Sequence, residues 1–136
     1  MLAHALSERP NECCGLLSGR KSDDGTVAEV SNRYPLVNER ASPREFVSEP
    51  KGMFAAVKEM RREGIEILAV YHSHPSSAPI PSKRDLEDNY SPTVMNLILG
   101  LAGDSPDVRG WWLTETAQFA GSFEVSEPAS TCPRKL

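Results

Sequence analysis

Leu2, Ala3, Ala5 and Leu6 recur with helical spacing through MLAHALSER (1–9), and Pro10 ends the run. CCGLLSG (13–19) is a short apolar stretch closed by glycine, the pattern of a buried strand. SDDG (22–25) has the composition of a turn, and TVAEVSNRY (26–34) reads as the returning arm of a hairpin. Residues 35–49 show no clear period; within them EFVS (45–48), flanked by prolines, predicts a short edge strand. The strongest helical pattern is PKGMFAAVKEMRREG (50–64). Pro50 suits a first turn, Met53, Val57 and Met60 recur at i, i+4 and i+7 beside Phe54, and Gly64 stands where a C-cap glycine belongs.

IEILAVYHSH (65–74) is apolar as far as Tyr71 and polar only at its end, as expected of a central strand. SKRDLEDN (82–89) predicts a short helix. VMNLILGL (94–101) and VRGWWLTE (108–115) predict strands around the GDSPD turn, and AQFAGSFEVS (117–126) a last strand. EPASTCPRKL (127–136) is polar, holds two prolines and reads as a flexible tail. Helices lying between more numerous strands predict an α/β or α+β layer with one mixed sheet, in one domain over 1–126.

Composition narrows the function classes. The net charge of −4 and the lack of a long basic run argue against nucleic acid as the main partner, and Arg61–Arg62 and Lys83–Arg84 read as solvated faces. No stretch reaches the ~18 to 20 apolar residues of a membrane span, and the first residues lack the basic start and apolar core of a secretory signal. Cys13, Cys14 and Cys132 are an odd set; adjacent cysteines seldom pair, which points to free thiols and a cytoplasmic setting.

Candidate chemistry gathers at HSHPSSAPIPSKRD (72–85). His72 and His74, two apart on a predicted strand, leave the same face and can converge on one ion. Two imidazoles and a carboxylate suit Zn²⁺ with one position left for water, and Asp85 is the natural third donor. Pro75, Pro79 and Pro81 stiffen the intervening loop. The same residues also fit a helix capped by Ser82 with Asp85 in its first turn, preceded by a hydrogen-bonded histidine pair. Hydrolysis would further need a carboxylate to move protons. Glu8, Glu12 and Glu66 are available; Glu66 shares the histidine face but lies roughly 20 Å along the strand. Glu12 can reach if its strand runs beside the histidine strand.

Glu12, then His72-Ser73-His74-Pro75, six residues, and Ser82-Lys83-Arg84-Asp85 together resemble the motif of the JAMM (MPN-plus, Mov34/MPN/PAD-1) zinc metallopeptidases. The resemblance runs from about residue 1 to about 126. It implies a curved mixed sheet flanked by helices, similar to that of cytidine deaminases. It implies one Zn²⁺ held by His72, His74 and Asp85, Glu12 as general base, and Ser82 as oxyanion donor. The chain departs from the family pattern in starting directly with the first helix, where relatives commonly have a short strand, and in offering only 35–49 and 86–93 as room for insertions. That compactness is similar to prokaryotic members that act on the Gly-Gly tails of ubiquitin-like sulfur-carrier proteins, which is the substrate class expected here.

Competing readings are a non-catalytic scaffold of the MPN type, a structural metal site, and a deaminase. The last would want a His-x-Glu unit and paired cysteines with zinc-ligand spacing, which Cys13-Cys14 does not supply. Cys13 and Cys14 read as small core hydrophobes. Trp111 and Trp112 alternate faces, one expected in the core and the other along a groove. His4 reads as a helix-surface residue, and EFVS as a segment able to pair with an extended substrate.

Overall fold

A computed structural model describes residues 1–126; the tail expected over 127–136, with Cys132, lies outside them. Three helices, α1 (Leu2–Glu8), α2 (Pro50–Glu63) and α3 (Lys83–Glu87), accompany six strands: β1 (Cys14–Lys21), β2 (Ala28–Leu36), β3 (Glu66–His74), β4 (Met95–Gly100), β5 (Asp107–Leu113) and β6 (Gln118–Gly121). They form one sheet in the order β2-β1-β3-β4-β5-β6. Only the β3–β4 step is parallel; the others are antiparallel, which makes the sheet mixed. A parallel step needs a crossover. Here it consists of the proline loop and α3, so the chain leaving the histidines must fold back over the sheet.

Alternation along the strands feeds two apolar layers. Cys13, Leu17, Tyr71, Leu97 and Leu99 pack with Ala5 of α1 on one face. Cys14, Leu16 and Leu36 pack with Ala56 and Met60 of α2 on the other. Fully burying a leucine such as Leu16 or Leu99 stabilises the fold by about 1.5–3 kcal/mol, so these layers set the strand register. α2 starts at Pro50 and stops at Gly64, whose φ of 67° is left-handed and costs glycine little. Arg61 and Arg62 stay exposed in its last turn, where they favourably oppose the helix dipole.

Two expectations need correction. EFVS forms no strand: the segment makes a single isolated bridge, Asn38 to Ser48, its Val47 carbonyl accepts from the Glu39 N–H, and its Glu45 carbonyl and Val47 N–H bond to the Asn38 side chain. His4 is not a surface residue. It is half-buried, with Nδ1 2.8 Å from the Tyr71 hydroxyl, because α1 lies flat on the sheet and turns its polar side chain toward that phenol.

Candidate active site

The antiparallel register of β1 and β3 places Cys14 opposite His72. One step further, the Ser73 N–H donates to the Cys13 carbonyl at 3.2 Å, and the Cys13 N–H donates to Ser73 Oγ at 2.8 Å. Glu12 is two residues before Cys14, so it falls on the same face as His72 and across from His74. The strand pairing is thus what brings a carboxylate from residue 12 to a histidine pair sixty residues downstream.

α3 supplies the third group. Ser82 is its N-cap: Oγ accepts from the Asp85 N–H at 3.1 Å, while the Ser82 N–H donates to Asp85 Oδ2 at 2.9 Å, a reciprocal capping box. The same Oδ2 lies 3.3 Å from His72 Nε2 and 3.2 Å from His74 Nε2, and the two Nε2 atoms are 3.1 Å apart. The two open readings of this segment are therefore compatible, since the helix cap and the three-donor cluster share one oxygen.

These donors fit a metal ion. Tetrahedral ligands about 2.0 Å from zinc stand about 3.3 Å from one another, which is the spacing of the three atoms here. Among the described residues, His72, His74 and Asp85 form the one cluster of His, Cys, Asp and Glu that could hold an ion. His74 Nδ1 lies 2.9 Å from the Ala78 carbonyl, which only accepts, so Nδ1 carries a hydrogen and Nε2 is the atom turned to the cluster. The Ala78 carbonyl also accepts from the Ile80 N–H at 2.8 Å, and Trp111 Nε1 donates to the adjacent Pro79 carbonyl at 2.9 Å. Phe46 stacks on His72, with ring centroids 4.7 Å apart.

Electrostatics separate the two carboxylates. Burial disfavours ionisation of Asp85, but the hydrogen bonds from His72 and His74 prevail and hold it well below the usual carboxylate range. Glu12, only 5% exposed, is pushed up to about 8, first by burial and then by the negative charges of Asp85 and Glu45, against the opposing pull of His74 and Arg84. Burial also lowers His74, but Asp85 and the Ala78 carbonyl overcome it and raise its pKa. A firmly ionised group and one that holds its proton near neutrality, side by side, suit ligand and proton carrier respectively.

A cleft of about 410 Å³ opens from His72 and Asp85, lined by Leu16, Phe46, Met53 and Val70 with Arg44 and Asn96. Its walls are the 37–49 loop and α3, joined by an ion pair between Arg84 and Glu45. Among the described residues neither tryptophan lines this cleft; Trp111 is half-buried at the proline loop and Trp112 is exposed beside Phe119. Cys13 and Cys14 are buried free thiols, and burial pushes the Cys14 thiol up to about 11. Glu66 is exposed on the far end of β3 next to Lys21. Asn38 and Phe46 escape pattern reading as site residues, since both stand in a segment without a period.

The profile described as "Prokaryotic homologs of the JAB domain" matches residues 1–114. A "Probable TtuB-protein conjugate cleaving protease" of Thermus thermophilus is 39% identical over 63% of this chain and 54% of its own length. A "Desampylase" of Pyrococcus furiosus is 34% identical over 81% of this chain and 72% of its own. The solution structure of a protein from Desulfitobacterium hafniense superposes with a TM-score of 0.83 at 35% identity, covering 94% of this chain and 87% of that one.

Proposed function

The chain belongs to the family of prokaryotic homologs of the JAB domain, and from that premise we propose that it is a zinc metallopeptidase acting on the Gly-Gly tail of a ubiquitin-like sulfur-carrier protein. The observation that carries the proposal is the mutual spacing of 3.1 to 3.3 Å among His72 Nε2, His74 Nε2 and Asp85 Oδ2. These three residues hold the ion, which supplies Lewis acidity and lowers the pKa of a water. Glu12 is the proton carrier: ionised, it takes a proton from the attacking water, and it returns that proton to the leaving amine. Ser82 Oγ uses a lone pair for the Asp85 N–H, which leaves its own hydrogen free to donate to the developing oxyanion.

Phe46 against His72 places an apolar ring beside the cluster at the cleft, which accords with a substrate tail of glycines. The relatives named for conjugate cleavage and desampylation support a protein conjugate as substrate. No helix among the described residues is long and apolar enough to cross a membrane. Free Cys13 and Cys14 accord with a cytoplasmic setting.

The test pairs metal analysis with cleavage. Metal-replete wild type should carry about one zinc per chain, lost in His74→Ala. Intact-mass spectrometry should show a ubiquitin-like carrier, extended by a peptide after Gly-Gly, trimmed back to the glycine carboxylate. Zinc without cleavage across a panel of such carriers would favour the structural-metal reading. Folded protein that takes up no zinc would favour the scaffold.

A further inference from the structure

Glu12 precedes β1 and lies outside its ladder, so its backbone is held by other groups. Its N–H donates to the Ser42 carbonyl at 2.9 Å, and its carbonyl accepts from Asn38 Nδ2 at 3.1 Å. The Asn38 side chain does more. Nδ2 also donates to the Glu45 carbonyl at 3.0 Å, while Oδ1 accepts from the Arg40 N–H at 3.1 Å and the Val47 N–H at 3.0 Å. An amide has two donor hydrogens and two acceptor lone pairs, so all four are committed. One half-buried side chain thereby joins Glu12 to the loop whose Phe46 stacks on His72 and whose Glu45 pairs with Arg84, next to Asp85.

We propose that Asn38 is a positioning residue for catalysis, the clamp that fixes Glu12 and the cleft wall in one relative placement. This rests on Glu12 being the proton carrier. The two halves of the amide have different tasks. Oδ1 organises the loop, as an Asn at a turn does in many proteins. Nδ2 is the distinctive half, because its two hydrogens bridge carbonyls from segments with no strand pairing between them. A loop-shaping asparagine needs only its oxygen; a clamp needs both ends. Misplacing a proton carrier by about 1 Å is enough to cost roughly 100-fold in rate.

Asn38→Asp separates the two tasks, retaining acceptors for Arg40 and Val47 and removing both donors. Asn38→Ser is a second variant without added charge, and Glu12→Gln is the comparison. The protein is full-length and zinc-loaded. The readouts are ¹⁵N order parameters at Glu12 and Cys13, zinc affinity by chelator competition, and kcat and KM on a peptide whose C-terminal Gly-Gly is amide-linked to aminomethylcoumarin. The expected result is an order parameter at Glu12 falling from the rigid level of about 0.85 toward 0.6. Zinc affinity should stay within about threefold, and kcat should fall about tenfold or more with a smaller change in KM. A rigid Glu12 with wild-type kcat in both Asn38 variants, beside an inactive Glu12→Gln, overturns the clamp alone. Full turnover by Glu12→Gln overturns the proton-carrier reading instead. The order parameters decide the clamp even on a peptide that the wild type leaves uncut.

Discussion

Replacing Glu12 by glutamine should stabilise the metal-free protein, and increasingly so as pH rises. Glu12 titrates near 4.5 when free and near 8 in the fold. Because the folded value is the higher one, the folded state holds this proton longer than the unfolded chain does. Any stability owed to Glu12 is therefore fully present below pH 4.5, declines as pH climbs toward 8, and is level beyond. The 3.5-decade difference corresponds to about 5 kcal/mol in full. Solvent screening of a group that is not fully enclosed reduces this to about 2–3 kcal/mol. His74 contributes with its own slope, since its raised pKa lends stability that is present below 6.5 and is lost as pH passes the folded value. Glu12 is among the groups that raise His74, so this slope is smaller in the variant and cancels only in part. The assay is urea unfolding in EDTA, followed by circular dichroism at intervals from pH 5 to 9. Glu12→Gln should gain about 2 kcal/mol on wild type across that range. Stability curves that run parallel to within about 0.5 kcal/mol would falsify the claim that burial strains the ionised carboxylate.

Other outcomes follow from the contacts around the cluster. Ser82→Ala removes both the cap and the hydroxyl proposed to donate to the oxyanion, whereas Ser82→Asn restores only the cap. Chemical denaturation should show a loss of about 0.5–2 kcal/mol for alanine and little for asparagine. Both should lose cleavage rate by about 10²–10³ if the hydroxyl serves the reaction. A Cβ on Gly100 would lie 2.5 Å from Pro79 Cδ and 2.8 Å from its nitrogen, so Gly100→Ala must move the proline loop and with it the Ala78 carbonyl behind His74. Chelator competition should then report zinc binding weakened about 10- to 100-fold; unchanged affinity would separate the loop from the ligand. Tyr71→Phe deprives His4 and Arg33 of their shared partner and should cost about 1 kcal/mol in urea while leaving zinc binding untouched.

Legibility in the sequence tracked how locally each feature is determined. α2 is bounded by Pro50 and Gly64, residues that act through their own backbone angles, and its ends fell where the pattern placed them. β3 was equally readable because nine residues with one burial trend need no partner to be recognised. The cluster was legible for a similar reason: two histidines two apart share a face by geometry alone, and Asp85 follows within one loop. Glu12 was different. Periodicity allowed it to reach only on the condition that β1 lie beside β3, and that condition is a long-range pairing. EFVS went wrong because its composition suits a strand while the Glu45 carbonyl and Val47 N–H are claimed by the Asn38 side chain, a competitor that strand propensity does not register. His4 went wrong because it adjoins Ala5, the one residue of this helix buried against the sheet, and its ring reaches the Tyr71 hydroxyl, a partner that helical spacing does not register.

Asp85 Oδ2 serves the start of α3 and the histidine pair with one atom. Losing that carboxylate would cost the five-residue helix half of its cap, and with it the footing of Arg84, whose partner Glu45 sits on the opposite wall of the cleft. Substitution at this position is consequently not a neutral event for the architecture. Exchanging His72 or His74 for other core-sized residues would leave the helix cap intact, whereas position 85 needs an acceptor for the helix alone.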